Sequence, residues 1–181
     1  MRTIIRVEPR RDTLTARSGA VRRQNEGMTQ DDDLPTFTAE QIEQQLAELT
    51  FDSFDQEAAY ALGTLAAEIV RERGFALAVQ IVIGDHIVYK AALGDVEEGT
   101  TEWLRRKSNV ARRDGVPSLL VRRRAEALGE KAAEDADHAP HGGAFPIVVD
   151  GTLVGTITGS GQPDVVDHDV VVSALRSYLA N

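Results

Sequence analysis

The chain has 181 residues, 42% of them hydrophobic, a formal charge of −9 and no cysteine. That length and apolar content suit one ordinary domain with some spare chain. The acidic balance disfavours nucleic acid and anionic lipid headgroups as partners of the main body; the lack of cysteine excludes disulfides, thiolate metal sites and cysteine nucleophiles, as suits a reducing, cytoplasmic setting.

Residues 1–27 carry seven arginines against three acids, a charge of +4 that leaves −13 for residues 28–181. With few large apolar side chains and no repeating period, the stretch is expected to be a disordered basic arm running on to residue 36. It lacks both the amphipathic stripe of a transit peptide and the apolar core of a secretion signal. Met28 opens the polar lead-in to the first well-capped helix and is the expected true start of translation.

Residues 37–181 are expected to form a single body. Thr38 followed by Gln41 has capping-box spacing, and Ile42, Leu46 and Leu49 recur at helical period, predicting a helix over about 38–49. Asp55 caps a second helix whose Ala58, Leu62, Leu65, Ala66, Ile69 and Val70 share a face, with Gly74 at its left-handed end. Residues 75–83 and 86–92 flank Gly84-Asp85 as a hairpin. The apolar run over 75–83, interrupted by Gln80, falls far short of the roughly 20 residues of a membrane-spanning helix, so no membrane partner is expected.

A third helix starts at Thr100 or Thr101, carries Trp103, Leu104, Lys107 and Val110, and ends before Gly115. Ser118 is expected to cap a fourth, through Leu128. Its Arg122, Arg123 and Arg124 point about 100° apart and form mostly a solvated face, with at most one turned to a pocket. Residues 144–149 and 152–158 flank Asp150-Gly151 as a second hairpin, and Pro163 opens a last helix whose Asp164 and Asp167 suit its positive N-terminal end. This order lacks the strand–helix–strand alternation of a parallel sheet. The class is α+β, an antiparallel sheet of two hairpins flanked by helices, with about five strands if residues 50–54 add a short one.

Four stretches stand out together: Ser53-Phe54-Asp55, the helix with Trp103-Leu104-Arg105-Arg106-Lys107, His141-Gly142-Gly143-Ala144-Phe145-Pro146, and Asp167-His168 after Gly159-Ser160-Gly161. In this order they make the chain resemble the haem-degrading-domain superfamily of GlcG, PduO C-terminal and HbpS-like proteins, closest to a branch of uncharacterised members. The resemblance runs over about residues 37–179. Here the Gly-Gly loop has one residue more before its proline than the superfamily pattern. The resemblance implies a profilin-like or PAS-like fold, homo-oligomer formation and haem as a cofactor to be tested.

The residues themselves offer a candidate ligand site. Gly142 and Gly143 can expose backbone N–H groups as a nest, with Phe145 beside them and Ser160 and Gly161 adding donors from a neighbouring strand end. Against this, both glycine pairs can simply shape turns. His141 and His168 are the titratable candidates for an axial ligand or general base, with Asp167 next to His168; alternatively, His168 only bonds a loop backbone. Trp103 and Lys107 share a helix face and either bracket a flat carboxylate or serve as a packed Trp with a lysine reaching past it. His138 and His141 have weak metal-pair spacing, His86 reads as a strand-surface residue, and Ser160 lacks a nucleophile elbow.

Two functions follow. One is binding of a small ligand, haem or another small carboxylate, with no turnover assigned. The other is a non-catalytic homo-oligomeric assembly or partner-binding module, its acidic body meeting a basic partner.

Overall fold

A computed structural model of the chain describes residues 34–181. The expectations for residues 1–33, including the basic arm and the start at Met28, lie outside the described residues.

Five helices and four strands follow one another as α1 (Ala39–Glu48), α2 (Gln56–Glu72), β1 (Leu77–Ile83), β2 (His86–Leu93), α3 (Thr100–Asp114), α4 (Ser118–Ala127), β3 (Ala144–Val149), β4 (Thr152–Ser160) and α5 (Asp164–Leu179). The α+β class and both hairpins are as expected from the pattern. Local chemistry sets most of the boundaries. Both halves of the Thr38–Gln41 capping box form, Gln41 N–H donating to Thr38 Oγ1 (3.2 Å) and Thr38 N–H to Gln41 Oε1 (2.9 Å). Asp55 Oδ1 accepts from Ala58 N–H at 2.9 Å. At the second hairpin Asp150 and Gly151 both have positive φ, +47° and +75°, the turn whose twist matches that of the flanking strands.

The sheet is antiparallel throughout, in the order β2-β1-β4-β3. It has four strands rather than about five. Residues 50–54 contribute only an isolated parallel bridge from Phe51 to Val149, with Phe51 N–H on Val148 O at 3.0 Å. Asp55 starts α2 so soon afterwards that no longer pairing can develop.

The two faces of the sheet differ, and the difference positions the site. Side chains alternate along each strand. Val79, Ile81, Phe145, Ile147 and Ile157 share one face and form the main core with Leu62, Ala66 and Val70 of α2 and Val170, Val171 and Leu175 of α5. The opposite face meets α3 through polar groups. Ser108 and Thr156 share a buried hydroxyl–hydroxyl bond of 2.7 Å, and Lys90 Nζ donates to Thr101 Oγ1 at 2.9 Å. Gln80 and Thr158, on the same face, are also buried. Helices therefore cover both faces.

Two expectations for α4 are corrected. Ser118 is not its cap: Pro117 holds that position, and Ser118 is the first helical residue. Its hydroxyl donates to His141 O (2.5 Å) and accepts from Ala144 N–H (3.1 Å), pinning the Gly-Gly loop between them. The expected solvated face holds for Arg124, which is exposed, but not for Arg122 and Arg123, which are half-buried. The angular spread sends each guanidinium to a different element: Arg122 to Asp164, Arg123 to the carbonyl of Phe37 (2.9 Å), and Arg124 to Glu43 (2.8 Å). Carboxylates from α1 and α5 arrive only through tertiary packing, so sequence order alone could not pair them.

Candidate functional site

The polar layer opens into a cleft of about 420 Å³ at one end of the sheet. Trp103 and Lys107 come from α3, Ser160, Gly161 and Gln162 from the end of β4, and Asp164 and Asp167 from the first turn of α5. Asp95 and Glu97 on the β2–α3 loop, Thr100, Ala76 and His141 complete the lining.

Lys107 and Asp167 form the floor. Lys107 Nζ donates to Asp167 Oδ2 at 2.7 Å, with side chains only 4% and 1% exposed. Asp167 Oδ1 accepts from Gln162 N–H at 2.9 Å. Burial pushes the Asp167 carboxyl up, to about 6, against the opposing pull of Lys107 and of the Gln162 and Gly161 backbone N–H groups.

The Gly-Gly loop closes one side. Gly142 N–H donates to Asp164 Oδ2 at 3.0 Å, while Arg122 holds the same carboxylate from α4. Although burial opposes it, these partners keep Asp164 below the usual carboxylate range. Gly143, at φ +123°, bonds through its carbonyl to Gly159 N–H (2.8 Å); a Cβ there would overlap Gly159 O and lie 3.3 Å from Lys107 Nζ. The loop is therefore glycine-rich for close approach, and the N–H group expected to form an open nest already holds a carboxylate of the chain itself.

Of the ten candidates read from the sequence, Trp103, Lys107, His141, Ser160, Gly161 and Asp167 come together in the cleft. Gly142 and Gly143 buttress it from behind. Phe145 and His168 lie elsewhere, both fully buried. His168 Nε2 shares a 2.8 Å hydrogen bond with Gln45 Oε1, and the Phe37 ring meets the imidazole edge-on at 4.9 Å. Burial holds its pKa down at about 4. Its partner is a side chain of α1 rather than a loop backbone. His141 Nε2 lies 3.2 Å from Glu134 Oε2, and Trp103 stands edge-on to the ring at 5.3 Å. His138 turns away to Asp135, Nδ1 to Oδ1 at 3.0 Å, and no cluster of three or more metal-ligating side chains exists among the described residues. His86 is exposed at the start of β2.

Asp95, Glu97 and Asp164 were missed as lining residues. The signal available for the first two was an acidic stretch between Gly94 and Gly99, directly after a strand and before the tryptophan helix.

The arrangement has relatives. Residues 54–176 match the model for haem-degrading HbpS-like proteins. The chain belongs to the HbpS-like family. UPF0303 proteins of Rhizobium etli and Streptomyces coelicolor are 37% and 38% identical to this HbpS-like chain, over 84% and 78% of it and 93% and 94% of their own lengths. Among solved structures, the Ybr137w protein superposes with a TM-score of 0.71 at 24% identity, covering 80% of this chain and 90% of the other. HbpS of Streptomyces reticuli, solved as a double mutant, gives 0.57 at 21% over 72% and 90%, and a PduOC:haem complex gives 0.61 at 17% over 69% and 94%. These three share the fold. No helix among the described residues is long and apolar enough to cross a membrane.

Proposed function

We propose that this HbpS-like protein binds a small molecule in the cleft between α3, the end of β4 and the start of α5. The observation that carries the reading is the buried Lys107–Asp167 pair on the cleft floor. Such a pair adds little net stability over apolar packing, so its placement beside solvent and an aromatic wall favours a recognition role. A volume of about 420 Å³ falls in the range of roughly 300–1,000 Å³ typical of ligand pockets.

Haem, suggested by the family and by the PduOC complex, does not fit these residues. A porphyrin needs broad apolar walls, and the lining supplies only Ala76 and the Trp103 ring. Its propionates need cations, and the single lysine is already paired with Asp167. His141 is engaged by Glu134, and His168 is enclosed in the core. The lining suits a ligand smaller and more polar than haem.

The test is a thermal-shift screen of anionic, neutral and cationic small molecules, followed by titration of Trp103 fluorescence, which reports on the cleft because Trp103 is the sole tryptophan. Saturable binding removed by Ser160→Leu, which fills the cleft from β4, is the expected result. No saturable response from any class would overturn the proposal.

A second reading, homo-oligomeric assembly, is favoured by the exposed apolar side chains at the sheet edge. Ile87 on the edge strand β2 is 58% exposed, and Tyr60 of α2, 64% exposed, lies 6.3 Å from the Tyr89 ring of the same strand. Light scattering tests it: a discrete oligomer dissociated by Ile87→Asp supports assembly through this face, and a monomer at high micromolar concentration refutes it.

A further inference from the structure

We infer that the cleft takes a small organic cation, an ammonium or guanidinium compound, rather than a carboxylate; this rests on the small-molecule reading above. The first ground is the charge of the lining. Four carboxylates, Asp95, Glu97, Asp164 and Asp167, face one lysine. The two inner acids are satisfied, Asp167 by Lys107 and Asp164 by Arg122 and the Gly142 N–H. Asp95 and Glu97 are exposed at the rim and make no ion pair among the described residues. A carboxylate ligand entering here would meet uncompensated negative charge, whereas a cation would neutralise it.

Hydrogen-bond accounting points the same way. Backbone donors that would hold an incoming anion at the start of α5 are occupied by the protein itself: Gly142 N–H by Asp164 and Gln162 N–H by Asp167. The Gln162 side-chain amide donates to Ala76 O and Gly161 O. The positive ends of α3 and α5 are likewise met by Glu102 and by Asp164 and Asp167 in their first turns. Fixed carboxylates thus stand where a carboxylate ligand would bind.

The second, independent ground is Ser160. Its residue is only 5% exposed, it lines the cleft, and its hydroxyl has no hydrogen-bond partner among the described residues. Facing the cleft, its oxygen can accept from a ligand N–H while Asp95 and Glu97 receive charge at the mouth. Trp103 adds an aromatic wall of the kind that attracts organic cations, and Arg106 already stacks on the ring, its guanidinium carbon 4.9 Å from the centroid.

Titration of the full chain with agmatine, putrescine, succinate and hemin, read by Trp103 fluorescence for the first three and by the Soret band for hemin, tests the inference. Agmatine or putrescine should bind saturably, and the double variant Asp95→Asn/Glu97→Gln should weaken that binding about tenfold without loss of fold, since both side chains are exposed. Ser160→Ala should weaken it about fivefold, with little response to salt in that increment. Saturable binding of succinate or hemin with none of the amines would overturn the cation assignment and leave the small-molecule reading standing. Amine binding unchanged in the rim variant would overturn the site. Silence from all four probes would overturn the assignment together with the reading beneath it.

Discussion

Lowering the pH from 7 to 4 tests whether His168 belongs to the core or to a binding site. The imidazole is fully buried, its Nε2 engaged by Gln45 and its Nδ1 without a partner among the described residues, so a second ring proton would be an unsatisfied buried donor. Burial lowers its pKa from 6.5 to about 4. The unfolded chain therefore takes up the proton first, near pH 6.5, and the folded chain only near 4. Stability from this group is complete above 6.5 and is lost as pH falls through that window. At 1.36 kcal/mol per pKa unit the gap amounts to ~3 kcal/mol. Asp167 works in the opposite sense over part of the same range, because its folded pKa is raised, so the raw pH profile mixes the two. Urea unfolding of wild type and His168→Gln at half-unit steps separates them, since Asp167 is common to both. The wild-type profile should fall more steeply toward pH 4, by ~3 kcal/mol in total. An identical slope in the variant, or an NMR titration placing His168 near pH 6.5, would refute the argument.

Other perturbations probe the cleft and its supports. Lys107→Met leaves Asp167 buried without its cation and should cost about 3 kcal/mol in urea unfolding at pH 8, but less at pH 5, where the raised carboxyl takes a proton; equal losses at both pH values would contradict the buried-pair account. Gly143→Ala should destabilise by more than about 2 kcal/mol, because the new Cβ overlaps Gly159 O at a positive φ, whereas Gly99→Ala, also at positive φ but facing open space, should cost only about 1 kcal/mol. Thr38→Ala removes the hydroxyl that accepts from Gln41 N–H, one half of the α1 capping box, and should lower stability by about 1 kcal/mol without changing ligand titrations, since α1 is not part of the cleft.

Much of the site was legible because its residues carry strong local signals. Trp103 and Lys107 are four apart on one helix, and the Gly159-Ser160-Gly161 and Asp164–Asp167 stretches adjoin in the chain, so their gathering at one end of the sheet follows from helix period and strand order. His168 deceived for the same reason. It sits next to Asp167, but successive helical residues diverge by about 100°, so one faces the cleft and the other α1. The rim acids were overlooked because a loop between two glycines has no period from which its direction can be read.

Composition and short-range pattern alone determined the five helices, the two hairpins, the α+β class and the Thr38 and Asp55 caps, because each depends on contacts within a few residues. Tertiary structure alone decided the partners. Ser118 reaches His141 and Ala144 across 23 and 26 residues, Arg124 reaches Glu43 across 81, and Gln45 reaches His168 across 123. Only after the chain has folded can the Asp164 and Asp167 carboxylates take the donors that the Gly-Gly loop and the α5 start would otherwise offer a ligand. That filling, invisible in the order of residues, uses up the Gly142 and Gln162 backbone donors that a carboxylate ligand would need.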